Sequence, residues 1–185
     1  KWELVIDDPE RLRGLPKSLL DAAKVDAAAK SLSVGGPPQY RFTLKAPCLI
    51  PVMEYAEDES LRHEMWQGSC GIGHGGEFDN RDIVARVARL RAERAAMLGY
   101  DTHAAYVLED ETAKTVGAVN KLMADLAPAA VANARKEAAD MQAIIDAEGG
   151  GFQLEAADWA FYAEKVRQQK YDFDEARNVL ERASA

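Results

Sequence analysis

Between Asn80 and Asp110, apolar residues fall at Ile83, Val84, Val87, Leu90, Met97 and Leu98. That is one stripe at the 3.6-residue period of an α-helix. Asn80 stands where an N-cap belongs, and Asp82 puts negative charge in the first turn. Gly99 is the residue expected just past a helix end. Asp101 or Thr102 then caps a short second helix whose apolar side is Ala105, Tyr106 and Leu108. The pattern predicts a helix-turn-helix corner with an apolar inner side.

The same reasoning covers the rest of the chain. Trp2–Ile6 is a short apolar run, and Tyr40–Lys45 alternates and is rich in β-formers, so the two are expected to pair as a ribbon. Asp8-Pro9 signals a helix start, and Pro16 opens a helix reaching about Lys30, with Leu19, Leu20, Ala23, Ala27 and Ala28 apolar. Leu49, Ile50, Val52, Met53 and Tyr55 form a buried helical stretch with Pro51 in its first turn. Asp58 caps Glu59–Gln67, with Leu61, Met65 and Trp66 pointing inward. Gly68–Gly76 is glycine-rich and reads as a flexible loop. Thr115 caps the longest helix, striped by Val119, Leu122, Met123, Leu126, Val131, Met141, Ile144 and Ile145, and Pro128 is expected to kink or break it. Gly149–Gly151 ends it. Ala156 or Ala157 starts a helix through Tyr162 and Val166 to about Tyr171, and Asp174 caps a last short one. The class is mainly α, an array of about eight helices with a short two-stranded ribbon near the N-terminus. Residues 1–185 read as a single helical segment: a lead-in over 1–67, a glycine-rich loop over 68–79 and a helical array over 80–185.

Composition narrows the function classes. With 48% hydrophobic and 29% charged residues, the 185-residue chain can bury a core. A formal net charge of −8 without a strongly basic segment argues against nucleic acid. No apolar run reaches the ~20 residues of a membrane span. The N-terminus lacks a signal-peptide pattern and does not begin with Met, so the chain is expected to start partway along a cytoplasmic gene product. Cys48 and Cys70 fit no zinc spacing and read as reduced thiols.

Candidate chemistry is sparse. His63-Glu64 begins like H-E-x-x-H, which sets two imidazoles one turn apart on zinc, but the fifth residue is Gln67. The pair therefore reads as surface residues of an amphipathic helix. His74 lies in the glycine loop, and His103 at the start of the short helix reads as a cap or solvent-facing group. Gly71–Gly76 lacks the strand and βαβ context of a dinucleotide loop. Asp7-Asp8, Glu57-Asp58 and Glu109-Asp110-Glu111 flank helix ends, where dipole effects explain those at starts. No catalytic, cofactor-binding or metal-ligating residue is assigned.

Four stretches in order carry a resemblance: YRFTLKAPCLIPVMEYA with Leu61-Arg62 following, DNRDIVARVARLRAERAAMLGY, AAYVLED followed by AKT, and DWAFYAEKVRQQKYDFDE. Together they resemble the thimet-oligopeptidase-like zinc metallopeptidases, most of all the bacterial peptidyl-dipeptidase and oligopeptidase A branch. The resemblance implies a deep helical clamshell that cuts short peptides at a zinc held by an H-E-x-x-H helix and a later glutamate. Zinc polarises the scissile carbonyl, and the glutamate of the motif activates water. Those elements lie C-terminal to the stretches matched here, so no catalytic or zinc residue carries over. The glycines over 67–76 and the sequence after Glu175 depart from the family pattern.

The expectation is therefore a channel-wall segment of a peptidyl-dipeptidase-like enzyme. Zinc belongs to the full-length protein, short peptides are its substrates, and the isolated segment is inactive. Its partner is an absent C-terminal catalytic half, and uncovered apolar faces imply self-association. The alternatives are a non-catalytic helical peptide- or protein-binding module, or a small enzyme using His103 and Glu109-Asp110.

Overall fold

A computed structural model describes residues 2–32 and 36–171. The described elements are β1 (Glu3–Ile6), α1 (Lys17–Ala29), β2 (Tyr40–Thr43), α2 (Ala46–Tyr55), α3 (Glu59–Cys70), α4 (Arg81–Met97), α5 (His103–Leu108), α6 (Val116–Ala147) and α7 (Trp159–Tyr171), with 3₁₀ turns at Pro9–Leu12 and Gly76–Phe78. The mainly-α expectation holds. The ribbon forms too: β1 and β2 pair antiparallel with Glu3 opposite Thr43 and Ile6 opposite Tyr40. The last helix expected from Asp174 lies outside the described residues.

Two compact units share the chain, one made of 1–70 with 137–185 and the other of 71–136. The first holds the core. Ile6, Leu12, Leu15, Leu19, Ala23, Phe42, Val52, Ala56, Leu61 and Met65 form one buried cluster. Met141, Ile144 and Ile145 of α6 pack with Phe161 and Tyr162 of α7 in another. Ion pairs from Lys165 to Glu148 and from Lys170 to Asp140 (2.7 and 2.6 Å) tie these two helices further. Gln142 closes the intervening turn: its amide donates to Phe152 O and accepts from Leu154 N–H. Trp2 lies so close to α3 that a Cβ on Gly68 would stand 2.5 Å from its ring.

Helix ends follow local chemistry. Asp8 accepts from Glu10 N–H, Asp58 from Leu61 N–H, Thr102 from Ala105 N–H and Thr115 from Ala118 N–H. Three helices end alike. Leu32, Tyr100 and Gly150 donate back to Ala27, Ala95 and Ile145 across a residue at positive φ, which is Ser31, Gly99 or Gly149.

Four local expectations are corrected. Asn80 makes no side-chain cap; its own N–H is held by Gly73 O at 2.8 Å, and Asp79 accepts from Arg81 N–H instead. Gly68–Cys70 completes α3 rather than opening the loop. Pro51 lies inside α2, not in its first turn, where Pro47 sits. Pro128 does not break α6, which continues for 32 residues. Proline removes one backbone bond there, and the turns on both sides keep theirs.

The second unit inverts the expected corner. Its helix-turn-helix geometry forms, but the α4 stripe lies outward: Ile83, Val84, Val87 and Leu90 are 39–65% exposed. Leu122, Met123, Leu126 and Val131 of α6 are exposed as well, and Ala95 is the buried residue of α4.

Candidate functional site

Three consecutive residues of α3, in the first unit, reach in three directions. Arg62 turns inward and is 1% exposed. Its Nη2 and Nε donate to Asp158 Oδ1 at 2.6 and 3.1 Å, and its Nη1 to the carbonyls of Ala56 and Glu57 at 2.8 and 3.2 Å. The guanidinium also lies 4.4 Å from the centre of the Phe161 ring, a cation–π contact in a desolvated setting. Helical spacing dictates this direction, because Arg62 lies three residues before Met65, which is fully buried.

His63 and Glu64 turn outward. His63 Nε2 stands 3.1 Å from Glu155 Oε2, and its Nδ1 stands 4.0 Å from Glu59. Glu64 accepts from Arg11 at 2.9 Å, and Arg11 also donates to Ser60 and lies 3.7 Å from Asp58. Asp58, Glu59, Ser60, His63, Glu64 and Gln67 line a surface groove of about 610 Å³. Burial pushes the Asp58 carboxyl up, but the hydrogen bonds from Ser60 and Leu61 and the Arg11 charge outweigh it and hold the group below the usual carboxylate range.

This groove does not fit zinc. A zinc site of the H-E-x-x-H type needs two imidazole nitrogens on one helix face with a free glutamate beside them. Here one imidazole faces carboxylates, the glutamate is held by Arg11, and the residue a turn later is an amide. Among the described residues, no three His, Cys, Asp or Glu side chains stand close enough to share an ion.

The other sequence candidates are scattered. His74 donates its backbone N–H to Gly71 O in the turn after α3. His103 opens α5, 6.4 Å from the ring of Tyr106. Glu109 accepts from the hydroxyl of Tyr100, which raises the phenol's pKa, and so serves the α4–α5 corner. Cys48 and Cys70 are free thiols, and the Cys48 Sγ accepts from Thr43 N–H. No described helix is long and apolar enough to cross a membrane.

Sequence reasoning missed Arg62 and Asp158, the most buried charges among the described residues. It pointed Trp66 inward, whereas that ring is partly exposed. A signal was present: Arg62 flanks the apolar pair Leu61–Met65, and Asp158 directly precedes the aromatic run Trp159–Tyr162.

Comparison with known proteins completes the picture. Residues 52–182 match the model of peptidase family M3. The chain is 34% identical over 174 residues to a dipeptidyl carboxypeptidase of Escherichia coli, covering 94% of this chain and 25% of that protein. It is 33% identical over 179 residues to oligopeptidase A of the same organism, covering 94% and 26%. A probable cytosolic oligopeptidase A of Arabidopsis thaliana is 29% identical over 181 residues, covering 95% and 25%. The chain spans about a quarter of the length of the curated relatives it matches.

Proposed function

Because the chain belongs to peptidase family M3, we propose that it forms one helical wall of the peptide channel in a zinc-dependent oligopeptidase of the cytoplasm. In this reading it has no hydrolytic activity alone. The observation that carries it is the alignment of nearly the whole chain with a quarter of oligopeptidase A, a peptidase by its name. Supporting it, the one fragment of a zinc motif, His63-Glu64, is tied into contacts with Glu155, Glu59 and Arg11.

Hydrolysis of a peptide at neutral pH needs an activated water. The zinc that supplies it belongs, in this reading, to polypeptide outside these 185 residues, as does the glutamate that takes the proton. What the segment contributes is shape. α2, α3, α7 and the part of α6 from Glu137 onward frame the first unit, and the exposed stripes of α4 and of α6 before that point await a covering surface. Left uncovered, they favour self-association.

The test is an assay of the purified chain on short peptides, with zinc content measured in parallel. The expected outcome is no cleavage and well under one zinc per chain. Chelator-sensitive cleavage would overturn the reading. A saturable peptide site without cleavage would favour a binding module instead.

A further inference from the structure

Three buried side-chain atoms have no hydrogen-bond partner among the described residues: Arg11 Nε, His103 Nδ1 and Asp158 Oδ2. Arg11 is only partly buried and has Asp58 at 3.7 Å from that nitrogen. The His103 side chain belongs to a half-buried residue. Asp158 differs, because the whole residue is closed off from solvent.

Its pairing with Arg62 is lopsided. Guanidinium and carboxylate frequently meet through two parallel bonds, one to each oxygen. Here Nε and Nη2 both converge on Oδ1, at 3.1 and 2.6 Å, and Oδ2 receives neither. The arginine has a remainder as well. A guanidinium carries five N–H donors. Nε and Nη2 each make one bond and Nη1 makes two, which leaves the second hydrogen of Nη2 unused. One acceptor and one donor are therefore left over within a single sealed pair, whose side chains are 2% and 0% exposed.

Leaving a buried carboxylate oxygen without a donor is costly, and folded proteins meet such groups with internal water that makes about three hydrogen bonds. The first turn of α7 follows Asp158 directly, yet none of its N–H groups donates to Oδ2. Two neighbours of the pair are small: Ala157 precedes the carboxylate, and Ala56 gives its carbonyl to Nη1, both of them buried. An ion does not suit the place, since Arg62 and Asp158 already balance each other. The two remaining groups call for a neutral molecule that donates and accepts at once. We infer that one internal water is bound at this pair, donating to Asp158 Oδ2 and accepting from Arg62 Nη2. The site uses residues of the first unit alone and does not depend on the channel-wall reading.

A crystal structure of the chain fine enough to show ordered solvent tests this directly. The expected result is one water within about 3 Å of both Asp158 Oδ2 and Arg62 Nη2. In solution, the Arg62 Nε–H should show a cross-relaxation peak to a long-lived water. Magnetic relaxation dispersion of the solvent should count about one internal water fewer in Arg62→Met/Asp158→Ala than in the parent chain. Oδ2 accepting from an α7 N–H, a parallel two-oxygen pairing with Arg62, or the pair intact with no solvent density beside it would each overturn the inference. So would an unchanged water count in the folded double variant. If that variant does not fold, density and cross-relaxation in the parent chain decide.

Discussion

Arg62 and Asp158, 96 residues apart in sequence, form an ion pair closed off from solvent, with Nη2 and Oδ1 2.6 Å apart. Arg62 belongs to a helix whose Leu61 and Met65 sit in one apolar cluster, and Asp158 precedes the helix whose Phe161 and Tyr162 sit in the other. The pair is a polar rivet between them.

Removing one partner leaves the other charge buried without compensation, which costs about 3–5 kcal/mol. Asp158→Ala is expected to lose stability in that range by urea unfolding. The double variant Arg62→Met/Asp158→Ala should cost clearly less than the two single losses combined, since neither charge is then stranded. Strict additivity would mean the two side chains act independently.

Acid should loosen both ends of the Asp58–Arg81 stretch. Asp79 is held at about 2 by the Arg81 guanidinium and backbone, and Asp58 lies below its ordinary value. Both folded pKa values are depressed, so the stabilisation is complete above the unfolded value of about 3.9 and disappears as pH falls through the folded values. Stability should be flat in these groups above about pH 5 and decline below about 4. Asp58→Ala, which also strips the α3 cap, should cost about 1 kcal/mol at pH 7, and the variant's decline in acid should be shallower. An unchanged decline would exclude Asp58 as its source.

The three matching helix ends predict opposite signs for opposite substitutions. Ser31 holds φ +57° where Gly99 and Gly149 hold +82° and +74°. A side chain in that region costs roughly 1 kcal/mol. Ser31→Gly should therefore stabilise by about 1 kcal/mol, and Gly99→Ala should destabilise by a similar amount. Nothing stands near the Gly99 Cβ position, so backbone conformation alone sets the cost. Thermal unfolding of the two variants decides it.

Pro128 is exposed within a continuous α6. Pro128→Ala restores a backbone donor and removes a ring clash, worth up to ~3 kcal/mol in a helix interior. Slower amide exchange around Ala124–Ala129 is the expected signature. Faster exchange would show that the proline serves packing.

Much of the fold was legible because it rests on local rules. Asp8, Thr102, Thr115 and Gly99 announce helix ends through chemistry contained within a few residues, and the alternation in Tyr40–Lys45 found its partner strand. What was not legible depends on distant context. Asn80 is an ordinary cap by type, but its backbone lies at φ −103°, ψ 3°, outside the extended region a cap needs, and Asp79 accepts from Arg81 N–H instead. Arg62 looks like a solvent residue until Asp158 is brought to it. The α4 stripe reads as core by period alone, yet periodicity fixes only which residues share a side, not what covers that side. The same limit applies to the candidate site: His63-Glu64 was readable as an incomplete motif, but its commitment to Glu155 and Arg11 comes from chain segments far away in sequence.

The first unit is written in two instalments, with residues 71–136 intervening before the chain returns to complete it. Polymer statistics make such a detour inexpensive, because doubling a closed loop adds only about 0.6 kcal/mol of closure entropy. The intervening stretch can thus change in length at little cost to the first unit while Arg62 and Asp158 keep the two instalments bound. A change in the excursion's length leaves the contacts of the home it departs from in place.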